Sequence, residues 1–140
     1  DYILKAILKA EKKIADRGVK VTTGRVIAEQ TLGFWNSFYE THHYALLAGV
    51  PCQIFKKLPS GYGRKEINDI IVQVRELRNR INHNEPICFV NRKCDFSYVR
   101  DMYRIISDFL TWIDPEIMPS LREVDKVCKV IEKEENKQKQ

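Results

Sequence analysis

The chain has 140 residues, of which 44% are hydrophobic, and its formal net charge at pH 7 is +5. This composition supports one domain with its own core and excludes a largely disordered chain. The sequence has neither an apolar run of the roughly 18 residues that a membrane span needs nor a signal-peptide pattern at its start. We therefore predict a soluble, cytoplasmic protein without membrane contact; because it begins at Asp1 rather than Met, we expect the C-terminal part of a longer chain.

Apolar residues at helical spacing predict helices along nearly the whole chain. The first helix is expected to end at Gly18. Thr22 or Thr23 then offers an N-cap for a long second helix. This helix would carry the aromatic run GFWNSFYETHHY and end near Gly49.

A third long helix is predicted from Arg64, and Pro86 stops it because proline disfavours helical geometry at the residue before it. Its apolar stripe consists of Ile67, Ile70, Ile71, Val74, Leu77 and Ile81. A loop follows, without any strand pattern, and Asp95 or Ser97 can cap the next helix. Beyond it, Pro119 is expected to interrupt the last helical stretch.

These elements predict an all-α fold, an antiparallel helical bundle of four main helices plus short helices. The predicted domain covers residues 1–131. Residues 132–140 are expected to form a charged, frayed tail.

Positive charge is concentrated around the end of the third long helix. Residues 56–104 carry 11 Lys and Arg against 6 Asp and Glu, whereas residues 105–140 carry 6 against 8. Such an excess suits a polyanion, here RNA. The alternative is that these basic residues only solvate helix faces.

The segment LRNRINHNEP, residues 77–86, combines arginine, asparagine and histidine where this helix ends. With about 100° per residue, the apolar stripe centres near −30°, Arg78 lies near 20° and His83 near 160°. Arg78 is expected at the edge of the buried face as a phosphate ligand, and His83 as a proton-transfer group. Asn79, one turn before His83, could hold the imidazole, and unwinding at Pro86 could turn His83 toward Arg78. Further candidates for RNA contact are Arg75, Arg80, Asn82 and Asn84.

A purely structural interpretation of the same segment stays open. Arg78 would then pair with a carboxylate at a surface-facing helix end, while the asparagines and His83 would cap exposed carbonyls.

Cysteine and histidine spacing does not predict a metal site or a cofactor. Cys52, Cys88, Cys94 and Cys128 form no C-x-x-C pair, so reduced thiols are expected. The alternatives are a disulfide between Cys88 and Cys94, or a metal site that joins them to His42 or His43. Both histidines lie among aromatics, which favours packed or hydrogen-bonded side chains.

The string LRNRINHNEPI, following TLGFWNSFY, resembles the abortive-infection (Abi-like) family of the HEPN superfamily. The residues Arg78 to His83 match its R-x(4–6)-H signature, and the likeness spans roughly residues 20 to 113. Where members of that family carry Ala and His around the central histidine, this chain has Asn82 and Asn84. Asn84 cannot titrate and so cannot replace a second histidine.

The resemblance implies a metal-independent endoribonuclease of a bacterial phage-defence or toxin system. Its RNA would be cleaved by 2′-hydroxyl attack, with Arg78, His83 and the orienting Asn79 from two subunits meeting at a homodimer interface. An antitoxin, protein or RNA, is a further expected partner. The alternatives are a non-catalytic dimeric module that binds RNA or an antitoxin, and an oligomerising adaptor whose motif is structural.

Overall fold

The computed structural model describes residues 2–138 and is mostly helical, in agreement with the predicted all-α class. The chain divides into two compact units, Asp1–Pro51 and Cys52–Gln140. The predicted domain of residues 1–131 stays a prediction.

The first unit contains four helices, α1 (Tyr2–Asp16), α2 (Thr23–Ala28), α3 (Leu32–Ser37) and α4 (Thr41–Leu46). The end of α1 near Gly18 and the N-cap at Thr22 are confirmed, since Gly18 has a φ of +71° and the Thr22 hydroxyl accepts the Arg25 N–H. The single long helix predicted to reach Gly49 is wrong. Thr31 starts a new helix by accepting the Phe34 N–H at 3.3 Å. Such side-chain caps offer the backbone an alternative to continuing the previous helix.

The second unit is built on two long helices, α5 (Arg64–Asn82) and α6 (Ser97–Ile113), followed by α7 (Ile117–Leu121) and α8 (Val127–Gln138). A 3₁₀ turn, Val50–Ile54, lies at the junction of the two units in the chain. The predicted extent of α5 is confirmed. Helix α5 buries Ile67, Ile70 and Leu77 in the core. Helix α6 adds Met102, and α8 adds Ile131.

Three details of the second unit differ from the sequence predictions. A short antiparallel hairpin, β1 (Phe89–Val90) and β2 (Lys93–Cys94), occupies the predicted strandless loop, because two-residue strands are too short to give an alternating pattern. Pro119 lies inside α7, where a first-turn proline removes no helical hydrogen bond. Residues 132–138, predicted as frayed, are helical, and the rest of that predicted tail lies outside the described residues.

Backbone and side-chain contacts fix the start of the second unit against the end of α6. The Lys57 N–H donates to the Trp112 carbonyl at 2.9 Å, and the Lys56 ammonium pairs with the Asp114 carboxylate. The Lys57 bond satisfies one of the carbonyls that the end of a helix leaves open.

Candidate functional site at the end of helix α5

The C-terminus of α5 is closed by a Schellman motif. Asn84 has a φ of +55°, the Asn84 N–H donates to the Ile81 carbonyl at 3.1 Å, and the Glu85 N–H donates to the Arg80 carbonyl at 2.8 Å. Asparagine is one of the few residues other than glycine that adopt this left-handed conformation readily. Asn84, predicted to contact RNA, therefore has a structural role that ends the helix.

Arg80, another predicted RNA contact, is held by the protein itself. Its guanidinium donates to the Pro86 carbonyl, lies 3.7 Å from the Glu85 carboxylate and stacks over the Tyr98 ring at 5.2 Å from the centroid. Three contacts leave little of the guanidinium for a ligand. Arg80 instead joins the end of α5 to the segment beyond it and to α6.

The other polar side chains of the segment are exposed and make no polar contact with the rest of the described chain. Within residues 2–138, no hydrogen bond, ion pair or ring contact engages the side chains of Arg78, Asn79, Asn82 or His83. Arg75, one turn earlier, is half-buried. The expectation that Arg78 lies at the edge of the buried face is wrong, because its side chain is exposed. An exposed guanidinium keeps its full set of donors for a phosphate.

Helix geometry separates Arg78 from His83 in direction. Helix α5 stays regular through Asn82, and His83 is its C-cap, with a φ of −91° and a ψ of 9°. The chain leaves helical geometry only at Asn84, so the predicted unwinding does not turn His83 toward Arg78. Five residues at about 100° each place the two side chains roughly 140° apart around the axis.

Asn79 contacts His83 through the backbone rather than the side chain. The His83 N–H donates to the Asn79 carbonyl at 2.9 Å. Among the described residues, no bond joins the Asn79 amide to the imidazole. The Asn79 side chain is therefore available to a ligand or to a partner chain.

Ile81 adds an apolar group to this polar surface. The sequence predicted it in the buried stripe of α5, but 52% of its surface is exposed, whereas Leu77 one turn earlier is 9% exposed. Ile81 and Arg78, three residues apart on α5, are both exposed and lie on neighbouring positions of the helix surface. Arginine is enriched at protein interfaces, and the exposed Ile81 adds apolar area beside it.

The four cysteines, together with His42 and His43, were the candidates for a disulfide or a metal site. All four cysteines are free thiols. His43, predicted as a packed histidine, is 3% exposed, and its Nδ1 lies 3.0 Å from the Ser37 carbonyl. Within the described part of the chain, no group of three potential metal-ligating side chains is found.

The hairpin that follows the segment was not predictable from its residue types. Its turn residues, Asn91 and Arg92, both have positive φ angles, 50° and 64°. A sequence with Asn-Gly at this position would have indicated such a turn, but Asn-Arg does not.

No protein-family model, curated protein or solved structure matches this chain. Among residues 2–138, no helix has the length and apolar character to cross a membrane.

Proposed function

We propose that this chain is a metal-independent endoribonuclease of the HEPN type, acting in the cytoplasm in a bacterial phage-defence or toxin system. The proposal rests on the resemblance of TLGFWNSFY and LRNRINHNEPI to the Abi-like family. One structural observation supports it most. Arg78 and His83, the two signature residues, are exposed and uncommitted, while Arg80 and Asn84 between and beside them are used by the fold.

The chemistry follows from these two side chains. A neutral imidazole at His83 accepts the proton of a ribose 2′-hydroxyl, whose oxygen forms a bond to the adjacent phosphorus. The bond from phosphorus to the 5′-oxygen breaks, and that oxygen takes a proton from an imidazolium. Arg78 stabilises the negative charge that gathers on the phosphoryl oxygens during the step. The products are a 2′,3′-cyclic phosphate and a 5′-hydroxyl.

Two subunits are needed for this reaction. Arg78 and His83 of one chain point roughly 140° apart, so they do not converge on one phosphate. The step also uses both a base and an acid, and one chain supplies one histidine in this segment. A two-fold dimer that pairs the last turns of α5 would bring two copies of each into one cleft. The exposed Ile81 supplies apolar surface for that pairing.

The other polar residues take supporting roles in this proposal. Asn79 and Asn82 are exposed and would hydrogen-bond the RNA or orient His83 across the dimer. Arg75 would add positive charge one turn away. Arg80 and Asn84 act indirectly, by fixing where α5 ends.

The test is cleavage of RNA by the purified chain in EDTA. We expect cleavage that yields 2′,3′-cyclic phosphate ends and that both Arg78→Ala and His83→Ala abolish. Arg122→Ala removes another exposed arginine, one outside α5, and serves as the matched control. A strict requirement for Mg²⁺ or Mn²⁺ would refute the mechanism, as would cleavage at a 2′-deoxy position. Salt-sensitive binding without turnover on many RNAs would favour the non-catalytic binding module.

A further inference from the structure

The hairpin that follows the α5 segment holds an arginine in an unfavourable backbone conformation. Asn91 and Arg92 form its two-residue turn, and Phe89 pairs with Cys94 and Val90 with Lys93. Positive φ at both turn residues defines a turn for which Asn-Gly is the preferred sequence. Arg92 has a φ of +64° at the position where glycine is preferred. In this conformation the Cβ of an L-residue crowds the following carbonyl oxygen, and glycine has no Cβ.

The hairpin also exposes groups that suit a nucleic acid. The side chains of Arg92 and Lys93 are exposed, and within the part of the chain that the structure describes neither has a partner. Phe89 is 57% exposed. Residues 87–94 include no Asp or Glu, so no carboxylate of the hairpin opposes an anion.

The chain tethers this hairpin to the proposed catalytic residues. Phe89 lies six positions after His83, which limits the distance between their Cα atoms to about 20 Å even for an extended chain. The Arg80 guanidinium also holds the Pro86 carbonyl, which keeps this part of the chain next to the end of α5. The Asp95 N–H donates to the Cys88 carbonyl at 2.8 Å and so closes the base of the hairpin. The hairpin therefore lies within reach of a nucleotide that flanks the site.

We infer that the hairpin Phe89–Cys94 is a contact site for single-stranded RNA, in which Phe89 stacks on a base and Arg92 binds a phosphate. This inference rests on the proposed function and names further RNA-contact residues for the same site. Exposed aromatics beside cations are the usual means of holding single strands, because every base has a face that can stack. Two-residue strands are too short to recruit a protein strand by edge pairing.

The experiment measures RNA affinity in the His83→Ala chain, so that cleavage does not interfere, with a fluorescently labelled single-stranded RNA in anisotropy titrations. Arg92→Gly should lower the slope of log affinity against log salt by about 0.7 and weaken binding roughly fourfold at 0.15 M salt, as expected for one lost phosphate contact. Phe89→Ala should weaken binding about fivefold or more. Val90→Ala is the matched control, since Val90 is 49% exposed on the opposite face of the same strand, and it should change affinity less than twofold.

Stability separates an RNA contact from a structural role. Arg92→Gly relieves the backbone crowding, so it should raise Tm by a few °C while it weakens RNA binding. Equal affinity of the Arg92→Gly, Phe89→Ala and parent chains would overturn the inference, as would equal weakening by Val90→Ala or no measurable RNA binding by the parent. Weaker binding by the two hairpin variants, together with no cleavage by the wild-type chain, would refute the proposed ribonuclease while it supports the RNA contact.

Discussion

The left-handed backbone at Asn84 allows the structural role of this residue to be tested separately from any role in RNA cleavage. Replacing Asn84 with alanine keeps both backbone hydrogen bonds of the Schellman motif but puts an ordinary side chain at a φ of +55°. The left-handed region costs most L-residues about 1–2 kcal/mol, and asparagine less. We therefore expect Asn84→Ala to reduce the free energy of unfolding by about 1 kcal/mol. Asn84→Gly, which adopts this φ freely, should stay within about 0.5 kcal/mol of the wild type.

Urea denaturation followed by circular dichroism measures this change, provided that the m-value is unaltered. For a unit of this size, 1 kcal/mol corresponds to a fall in Tm of roughly 4–8 °C. Asn82→Ala is the matched comparison, because Asn82 is exposed and still helical, so alanine there should stabilise by a few tenths of a kcal/mol. Equal stability of the Asn84→Ala and wild-type chains would refute the conformational explanation. Loss of RNA cleavage in Asn84→Gly as complete as in His83→Ala would show that the amide itself takes part in the chemistry.

Sedimentation at micromolar concentration should report a dimer, and Ile81→Asp should weaken it at least tenfold, whereas Val124→Asp, at a residue that is 71% exposed, should not; a monomeric wild type would contradict the proposed two-subunit site. The backbone N–H groups of Glu66 and Gly63 donate to the Glu66 carboxylate at the start of α5 and lower the pKa of this carboxyl below its ordinary value of 4.5. That contribution to stability is present above pH 4.5 and is lost as pH falls below it, so wild type should lose more stability between pH 5 and pH 3 than Glu66→Gln; parallel pH profiles would contradict this. The hydrogen bond to Asp125, together with burial, raises the pKa of Tyr103 above 10.0. Its contribution is present below pH 10 and is lost as pH rises through the higher pKa, so stability of the wild type should fall more steeply above pH 10 than that of Tyr103→Phe, as urea titrations at each pH will test.

Helix α5 shows how much of this fold was predictable. Its apolar spacing predicted the buried positions Ile67, Ile70 and Leu77, and Pro86 predicted that the helix ends before Glu85, because both signals are local to the helix. The aromatic run after Thr22 was not predictable in the same way. Its apolar positions fit one helix, but the cap at Thr31 divides it, and a single side-chain hydrogen bond decides between the two outcomes.

The candidate site was predictable as a segment but not residue by residue. Arg78 and Arg80 have the same side chain two positions apart, and only contacts with Pro86 and Tyr98 show that the second is held by the fold. Those partners come from a loop and from another helix, which helical spacing does not reveal. Likewise, helical spacing puts Ile81 in the buried stripe, but its neighbours in the fold leave it 52% exposed.

Along the last turn of α5, Arg80 and Asn84 have structural roles, whereas Arg78 and His83 do not. This difference affects which substitutions the fold tolerates. The side chains of Arg78 and His83 make no hydrogen bond, ion pair or ring contact within the described chain, so replacing either side chain leaves the backbone bonds of the helix end in place. A related sequence that has lost both side chains should therefore still fold. Selection for stability alone would preserve Arg80 and Asn84, which the fold uses. If the proposed ribonuclease is toxic to its host, a genetic screen for loss of toxicity should recover folded variants at Arg78 and His83 and poorly folded ones at Arg80.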